Sequence, residues 1–209
     1  MSGGKVTLVD YGAGNLPSVE RALRRLGAEV ERASAPEALD GSRAIVLPGV
    51  GHFGALMRTL EERRLLEPLR AVLAEGVPFL GICLGLQALY GASEEDPSRA
   101  GLGVLAGMVQ PLPHTAKLPH MGWNQLRRVR PSVLLRDVPE DAYFYFAHSY
   151  AALDAGEAAV ALCDHGVPFV AVLECGRIVA VQFHPEKSGE AGSRVLRNFL
   201  RFAGVDSQR

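Results

Sequence analysis

The sequence predicts an α/β fold in which a mostly parallel sheet, covered by helices on both faces, is followed by a strand-rich second half. Three observations lead to this prediction. In the first hundred residues, short apolar runs alternate with segments of helical spacing. After about Gly101, apolar runs follow one another with only turn residues between them. No linker, repeat or low-complexity segment divides the chain, so we expect one domain over residues 1–209.

The first strand–helix–strand unit covers "KVTLVD", "LPSVERALRRLG" and "AEVERAS". The apolar, β-branched first segment predicts a strand. In the second segment, Leu16, Val19 and Leu23 recur at three- and four-residue steps, which predicts a helix that stops at Gly27. The third segment alternates more weakly and is predicted as the second strand.

The same alternation continues to about Gly91. "SRAIVLPG" predicts a buried strand that ends at a Pro-Gly turn, and "VPFLGI" predicts another strand. Between them, "FGALMRTLEERRLLEPLRAVLAEG" has helical spacing, with a break expected near Pro68. "LGLQALYG" predicts a further helix. Repeated units of this kind imply a parallel sheet with both faces covered.

The second half is predicted to consist mainly of strands. Only "GSRVLRNFLRFAG" restores helical spacing, through Val195, Leu196 and Phe199. The predicted strands are "GLGVLAGMVQPL", "MGWNQLRRV", "AYFYFAHSYAAL", "AAVALCDHG", "PFVAVLECG" and "RIVAVQFHPE".

Composition and charge exclude several classes of function. No run approaches the ~18 apolar residues of a membrane span, and we expect no signal peptide because the chain opens without a basic and then an apolar region. An odd number of widely spaced cysteines indicates a reducing cytoplasm. A net charge of −1 argues against nucleic acid or an anionic membrane as the partner. No Cys/His spacing indicates a metal site, and we expect no cofactor.

A candidate nucleophile lies in Gly81-Ile82-Cys83-Leu84-Gly85, where a predicted strand meets a predicted helix. A sharp turn there pushes its central residue out of the sheet, and the flanking glycines prevent clashes, as in the G-x-S-x-G nucleophile elbow. The start of a helix favours the thiolate, and the Leu84 N–H would face a developing oxyanion. The alternative is a buried structural cysteine. Cys163 and Cys175 lack this setting and are predicted to pack in the core.

A candidate base for this nucleophile is His184, which follows a predicted strand in "VAVQFHPEKSG". In an extended chain, side chains two positions apart project to the same side, so Glu186 can orient one imidazole nitrogen while the other faces the thiol. A surface histidine and glutamate are the alternative. Four of the other histidines, at positions 114, 120, 148 and 165, have no carboxylate placed in this way.

The glycine-rich loop "LPGVGHFG" follows a buried strand and contains His52, the remaining histidine. It has neither a G-x-G-x-x-G pattern nor a Walker lysine. Gly49 can adopt either sign of φ, so the Gly49–Val50 peptide can present or withdraw a second oxyanion donor. A plain tight turn is the alternative.

Together the elbow, the His-Pro-Glu pair and the Pro48-Gly49 loop resemble the triad-type glutamine amidotransferases. Within that superfamily, four stretches resemble the glutaminase subunits of imidazole glycerol phosphate synthase, which act in histidine biosynthesis. These are "DYGAGNLPSV", "LPGVGHFG", "HMGWNQL" and "YFYFAHSY". The resemblance covers essentially the whole chain, and it implies a flavodoxin-like three-layer domain with a mixed sheet.

The resemblance also implies an activity and a partner. Glutamine would be hydrolysed to glutamate and ammonia, and the ammonia would pass unreleased to a separate barrel-shaped cyclase subunit in a heterodimer. That partner forms imidazole glycerol phosphate and an aminoimidazole carboxamide ribonucleotide. We further expect the partner with its nucleotide to switch the glutaminase on, because an unregulated glutaminase would waste glutamine and lose ammonia to solvent.

Site residues carried over by the resemblance fall into four groups. The catalytic triad would be Cys83 as nucleophile, His184 as acid–base and Glu186 as its orienter. The oxyanion hole would use the Gly49–Val50 peptide and Leu84. The glutamine contacts would be Gln87, Glu95, Ser149 and Tyr150. The partner face would include Tyr11, Asn15, Trp123, Tyr145 and Lys187.

Three other functions remain open at this point. One is the glutaminase subunit of another amidotransferase, serving anthranilate, aminodeoxychorismate or pyridoxal phosphate synthesis. A second is a free-standing cysteine hydrolase of flavodoxin-like fold. A third is a catalytically silent partner subunit, against which the intact triad argues.

Overall fold

A computed structural model describes residues 5–12, 15–154 and 156–206 of the chain. The strands, in chain order, are β1 (Lys5–Val9), β2 (Glu29–Ala33), β3 (Ile45–Gly49), β4 (Phe79–Cys83), β5 (Tyr90–Ser93), β6 (Leu105–Pro111), β7 (His120–Gln125), β8 (Arg127–Arg128), β9 (Tyr143–His148), β10 (Tyr150–Ala152), β11 (Ala159–Asp164), β12 (Pro168–Cys175) and β13 (Ile178–Val181). The α-helices are α1 (Leu16–Arg25), α2 (Phe53–Glu62), α3 (Leu66–Ala74), α4 (Leu84–Gln87) and α5 (Gly189–Phe202). Short 3₁₀ turns cover Pro36–Leu39, Gly156–Ala158 and Pro185–Lys187.

Both halves of the chain contribute to the main sheet, whose strand order within the described residues is β2-β1-β3-β4-β13-β12-β11-β8. From β2 to β13 all pairings are parallel, whereas β12, β11 and β8 extend the sheet in antiparallel fashion. The predicted α/β fold with a mostly parallel, mixed sheet is therefore confirmed.

Apolar side chains fill both faces of this sheet. Every residue of β3 and β4 is buried, as the continuous apolar runs predicted. Helices α1 and α5 cover one face with side chains such as Val19 and Phe199, and α2 and α3 cover the other with side chains such as Leu56 and Leu69. The arrangement has three layers.

Two small sheets lie beside the main one, in the order β10-β6-β5 and as the pair β7-β9 within the described residues. Phe144 and Phe146 of β9 pack into the core that contains α1 and α5. Tyr90 of β5 and Val109 of β6 pack into the core that contains α2 and α3. No helix in residues 5–12, 15–154 or 156–206 is both long enough and apolar enough to cross a membrane.

Two predicted helices differ from the observed ones. The break expected near Pro68 lies earlier, between α2 and α3, where Arg64 has a φ of 57°. Pro68 instead sits in the first turn of α3, where its missing N–H costs nothing. The helix predicted over "LGLQALYG" is a single turn, because the following backbone pairs with residues 101–105: the Leu102 N–H donates to the Ala88 carbonyl at 2.7 Å.

Candidate active site

Three strand ends meet at the carboxyl edge of the main sheet. Gly49 at the end of β3 lies in register with Cys83 at the end of β4. On the other side of β4, Val181 at the end of β13 lies in register with Ile82. In parallel sheets this edge is where ligands and reacting groups collect.

Cys83 occupies the strained turn that the glycine pattern predicted. Its φ of 54° and ψ of −106° are rare for a residue other than glycine. A Cβ on Gly81 would lie 2.7 Å from the Gly85 carbonyl oxygen, and a Cβ on Gly85 would run into the Leu47 carbonyl oxygen. Only glycine fits at either position, so the tight approach of β3, β4 and α4 holds the cysteine in this conformation.

His184 and Glu186 form the pair that their spacing predicted. The His184 Nδ1 lies 3.0 Å from Glu186 Oε1, and both side chains are buried. The His184 N–H donates to the Tyr145 carbonyl at 2.8 Å, and the Ser188 hydroxyl donates to the His184 carbonyl at 2.7 Å. These backbone bonds fix the turn that presents the imidazole.

The environment of His184 favours its charged form. Burial alone would lower the pKa of His184, but hydrogen bonds to Cys83 and Glu186 and the negative charges of both outweigh burial and raise it. Cys83 and His184 are therefore close enough to act as a nucleophile and its base, with Glu186 as the group that orients the base.

Asn15 also belongs to this cluster. Its Nδ2 donates to Glu186 Oε1 at 3.2 Å, so the same carboxylate oxygen holds both the imidazole and the asparagine. Its position at the partner face stays a prediction; in this structure Asn15 is half-buried against the Glu186 carboxylate. Ala13 and Gly14 of the same "YGAGN" stretch lie outside the described residues.

Tyr11, also predicted at the partner face, contacts a predicted oxyanion donor. Its side chain is buried, and its hydroxyl accepts a hydrogen bond from the Val50 N–H at 3.3 Å. Burial raises the pKa of Tyr11 to about 12, so the hydroxyl stays protonated. The Val50 N–H, a predicted oxyanion donor, is therefore occupied in this structure.

Close packing, and not only conformational freedom, requires a glycine at position 49. A Cβ at Gly49 would lie 2.6 Å from the Leu84 Cβ, so glycine is needed there for the close approach of β3 to α4. In this loop the residue with positive φ is Gly51, at 96°. The Gly49–Val50 peptide thus follows a tightly packed glycine, and the glycine with positive φ comes one residue after Val50.

A cleft of about 310 Å³ opens beside Cys83. Its walls include all four predicted glutamine contacts, namely Gln87, Glu95, Ser149 and Tyr150, together with Val50 and Leu84. Glu95 is half-buried, and its Oε2 accepts the N–H of Phe53 at the start of α2, at 2.7 Å. The Gln87 Nε2 donates to the Tyr150 carbonyl at 2.8 Å.

Two side chains in this region had no role in the sequence analysis. Gln182 is fully buried, and its Nε2 donates to Cys83 Sγ at 3.5 Å. His148 is buried too, and its Nδ1 donates to the Tyr150 carbonyl at 2.9 Å. In the sequence, only its position two residues before His184 could have pointed to Gln182 as part of the site. For His148, the corresponding signal was its position next to Ser149.

An aromatic patch lies on the surface near the triad. Trp123 of β7 and Tyr145 of β9 are in register, with ring centroids 6.0 Å apart in an edge-to-face arrangement. The Lys187 ammonium lies 5.5 Å from the centre of the Tyr145 ring. Trp123 is 56% exposed and its neighbour Met121 is 65% exposed, a degree of exposure typical of protein interaction sites when it is contiguous.

The other two cysteines have different environments. Cys163 is buried, as predicted, and burial raises the pKa of its thiol to about 12. Cys175 is exposed at the end of β12, so the prediction that it packs in the core is wrong. The apolar run before it is buried, but the chain turns into solvent at Gly176, and the last residue of the strand goes with it.

The chain is similar to known proteins over most of its length. The family "Glutamine amidotransferase class-I" matches residues 7–202. A protein of Methanothermobacter thermautotrophicus named "Imidazole glycerol phosphate synthase subunit HisH" is 50% identical over 195 residues, which cover 93% of this chain and 97% of that protein. Proteins of the same name from Desulfitobacterium hafniense and Moorella thermoacetica are 43% and 45% identical, covering 97% and 95% of this chain and 96% and 97% of their own lengths.

Solved structures agree at the level of the fold. The chain is similar to a crystal structure titled as a glutamine amidotransferase, with a TM-score of 0.77, 24% identity, and coverage of 96% of this chain and 99% of that one. It is also similar to a structure of PurLQS from Thermotoga maritima, with a TM-score of 0.75, 19% identity, and coverage of 96% and 99%.

Proposed function

The chain belongs to the class-I glutamine amidotransferase family, among the glutaminase subunits of imidazole glycerol phosphate synthase, and we propose that it hydrolyses L-glutamine with Cys83, His184 and Glu186. The observation that carries the proposal is the cluster at the sheet edge: a cysteine held at a φ of 54° beside a buried histidine whose Nδ1 is 3.0 Å from a buried carboxylate. The cleft beside it, lined by Gln87, Glu95, Ser149 and Tyr150, is the proposed glutamine site.

The reaction begins with His184 and Cys83 side by side. Because the pKa of His184 is raised, the imidazole holds a proton, and Cys83 reacts as the thiolate. The thiolate attacks the carboxamide carbon, and the N–H groups of Leu84 and Val50 stabilise the oxyanion. His184 then gives its proton to the leaving nitrogen, and ammonia departs from a thioester on Cys83.

The second half-reaction uses the same residues. His184, now neutral, takes a proton from water, which attacks the thioester. When the tetrahedral intermediate collapses, glutamate leaves and the thiolate re-forms beside the imidazolium. Glu186 keeps the imidazole in one orientation throughout, and Asn15 holds Glu186. The sum is glutamine and water giving glutamate and ammonia.

The ammonia passes to a cyclase subunit in a heterodimer, where it is used to form imidazole glycerol phosphate and an aminoimidazole carboxamide ribonucleotide in histidine biosynthesis. The exposed Trp123, with Tyr145 and Lys187 beside it, supports the partner face being next to the triad. The chain forms a single glutamine amidotransferase domain over residues 1–209 and works in the cytoplasm. It needs neither nucleic acid nor a membrane.

Covalent labelling tests the assignment of the nucleophile. A glutamine-analogue electrophile should modify Cys83 and leave Cys163 and Cys175 unmodified, as read by peptide mass spectrometry, and excess glutamine should protect. Cys163 serves as an internal control for burial and Cys175 as one for exposure. Modification of either of them with Cys83 untouched would contradict the proposal.

A Cys83→Ala variant in complex with the cyclase separates glutaminase chemistry from assembly. The complex should form product from added ammonia and none from glutamine. Product from glutamine in this variant would show that another group attacks the substrate. Loss of both activities would show that the chain supports the cyclase in some way other than nitrogen supply.

A further inference from the structure

Gln182 lies at the centre of the site without a role in the triad chemistry. It follows β13, whose last residue is in register with Ile82, so Gln182 stands beside Cys83 across the parallel pair. Its side chain is fully buried, and its backbone N–H donates to the Ala171 carbonyl at 2.9 Å. The residue is therefore fixed by the sheet on one side and has its amide directed at the nucleophile on the other.

Hydrogen bonds on both sides determine how this amide is oriented. The Gln87 Nε2 donates to the Tyr150 carbonyl at 2.8 Å and to Gln182 Oε1 at 3.2 Å. Because a backbone carbonyl can only accept, the Gln87 nitrogen must face it, and both of its N–H groups are then used. Gln182 must present its oxygen to Gln87, so its nitrogen faces Cys83 Sγ, 3.5 Å away.

The hydrogen bonds are donated in one direction, from Gln87 at the cleft to Gln182 and from Gln182 to the Cys83 sulfur. If the Gln182 amide were reversed, its N–H groups would face the N–H of Gln87, and its oxygen would face the Cys83 thiolate. Reversing Gln87 would set oxygen against oxygen at Tyr150. The His148 Nδ1 donates to the same Tyr150 carbonyl at 2.9 Å and so fixes its position. With its nitrogen engaged on this side, Gln87 is left with its Oε1 as the acceptor for the N–H groups of a substrate.

The thiolate needs a donor of this kind. Cys83 is 5% exposed, so water does little to stabilise its charge. Helix α4 is a single turn, Leu84–Gln87, and contributes little of the dipole that a longer helix would supply. Hydrogen bonds to a charged group are stronger than those between neutral groups.

We propose that Gln182 is a catalytic residue of the glutaminase reaction, one that donates a hydrogen bond to the Cys83 thiolate and holds Gln87 in position to bind glutamine. This inference rests on the proposed function. The donor favours the thiolate before attack and again when sulfur is the leaving group of thioester hydrolysis. The oxygen of the same amide accepts a hydrogen bond from Gln87. The Gln182 side chain therefore connects the Cys83 sulfur to the residue that contacts the substrate.

Two substitutions separate the two ends of the amide. Gln182→Glu is nearly isosteric and keeps an acceptor for Gln87, but it removes the donor and adds a negative charge next to sulfur. Gln182→Met has a similar volume and removes both ends. Asn198→Leu is the matched control, because Asn198 is also a buried amide, but its Nδ2 donates to the Leu134 and Arg136 carbonyls and not to groups of the cleft.

The first measurement is the pH dependence of Cys83 alkylation by iodoacetamide in the full chain, in a Cys175→Ser background that removes the exposed thiol. Loss of a hydrogen bond to a charged group should move the midpoint up by about one pH unit in Gln182→Met. The shift should be larger in Gln182→Glu. Asn198→Leu should keep the midpoint even where it lowers the unfolding temperature.

The second measurement is glutamine turnover in the complex with the cyclase. Gln182→Glu should lower kcat about 10- to 100-fold with little change in KM, because Gln87 stays in place. Gln182→Met should lower kcat and also raise KM. Equal alkylation midpoints in wild type and both variants would overturn the proposal for Gln182, even if Cys83 remains the nucleophile. Absence of glutamine protection in the wild-type alkylation would instead count against the proposed function.

Discussion

At the scale of single residues, one hydrogen bond governs the proposed oxyanion hole. The Val50 N–H donates to the Tyr11 hydroxyl at 3.3 Å, so it cannot stabilise an oxyanion in this state. Leu84 is then the remaining backbone donor. Loss of one such donor lowers kcat by about 10²–10³. We therefore expect the isolated chain to hydrolyse glutamine slowly, and the cyclase with its nucleotide to free the Val50 N–H.

Tyr11→Phe tests this explanation. The variant keeps the buried ring and removes the acceptor, so the Val50 peptide gains freedom to face the cleft. Glutaminase activity of the isolated chain should rise about 10-fold or more. The rise should not exceed the factor of about 10²–10³ that one oxyanion donor contributes. Steady-state assays of the chain alone, with the cyclase, and with the cyclase plus its nucleotide should show wild type and variant converging in the third condition.

Tyr90→Phe is the matched control for Tyr11→Phe. Tyr90 is also a buried tyrosine, but its hydroxyl donates to the Asp154 carbonyl, away from Val50. Its loss should leave the activity of the isolated chain unchanged. If Tyr11→Phe behaves like Tyr90→Phe, or if wild type is equally active in all three conditions, the Tyr11 hydroxyl does not hold the enzyme in a slow state.

At the scale of elements, the turn that holds Cys83 depends on how closely β3, β4 and α4 approach one another. The site of a Cβ on Gly85 is taken by the Leu47 carbonyl oxygen of β3, and Gly81 faces the backbone of α4. Backbone atoms cannot move aside as a flexible side chain can. A methyl group at position 85 must therefore push β3 and α4 apart and displace Cys83 from its turn.

Gly85→Ala should thus lower both stability and activity. Overpacking of this kind costs about 1–3 kcal/mol of unfolding free energy. Urea unfolding should show that loss, and glutamine turnover with the cyclase should fall further than the folded fraction alone explains. Gly91→Ala is the control, because nothing lies within 4 Å of a Cβ there and its φ is not positive. Equal effects of the two substitutions would mean that the close approach does not hold Cys83.

At the scale of the whole molecule, neutral histidines join the strand-rich half of the chain. The His120 Nδ1 lies 3.2 Å from the His148 Nε2, and His148 in turn donates to the Tyr150 carbonyl. The His165 ring stacks on His120 with centroids 4.1 Å apart. Burial lowers the pKa of His148 to about 3 and that of His120 to about 4. The rings of His120 and His148 therefore link β7, β9 and β10 in their uncharged form.

This cluster should make the protein sensitive to acid. Because the folded pKa values lie below the unfolded value of about 6.5, the unfolded chain binds more protons as the pH falls, and stability present above pH 6.5 is lost towards pH 4. The slope is at most about 1.4 kcal/mol per pH unit for each histidine. Urea unfolding of wild type and His148→Gln between pH 5 and 8 should show a shallower decline in the variant below pH 6.5.

The same titration contains its own control. Towards pH 8 the two curves should run parallel, because His148 binds almost no protons there in either the folded or the unfolded state. His184 changes stability with pH in the opposite direction. Its pKa is raised in the folded state, so its contribution to stability is present below pH 6.5 and is lost as the pH rises through its folded pKa. Both proteins share that contribution. Parallel curves over the whole range would show that His148 does not titrate on unfolding.

The sequence by itself determined the features whose cause is local. Alternating apolar runs predicted the parallel core, because a strand buried on both faces must be apolar throughout. The glycines around Cys83 predicted its turn, since a turn that tight leaves no room for a Cβ two residues away. His184 and Glu186 were predicted as a pair because two positions of extended chain bring their side chains to one side.

The tertiary structure decided everything that depends on contacts between distant segments. Cys83 and Gln182 are 99 positions apart, Asn15 and Glu186 are 171 apart, and Tyr11 and Val50 are 39 apart. Helix α4 ends after one turn because residues 101–105 pair with the chain that follows it, which local helical spacing cannot reveal. The direction of an amide or the partner of an N–H is set by which acceptor the fold brings near it. For that reason the sequence pattern could predict Cys83 and His184 as the nucleophile and its base, and the packing of strand ends determined which groups surround them.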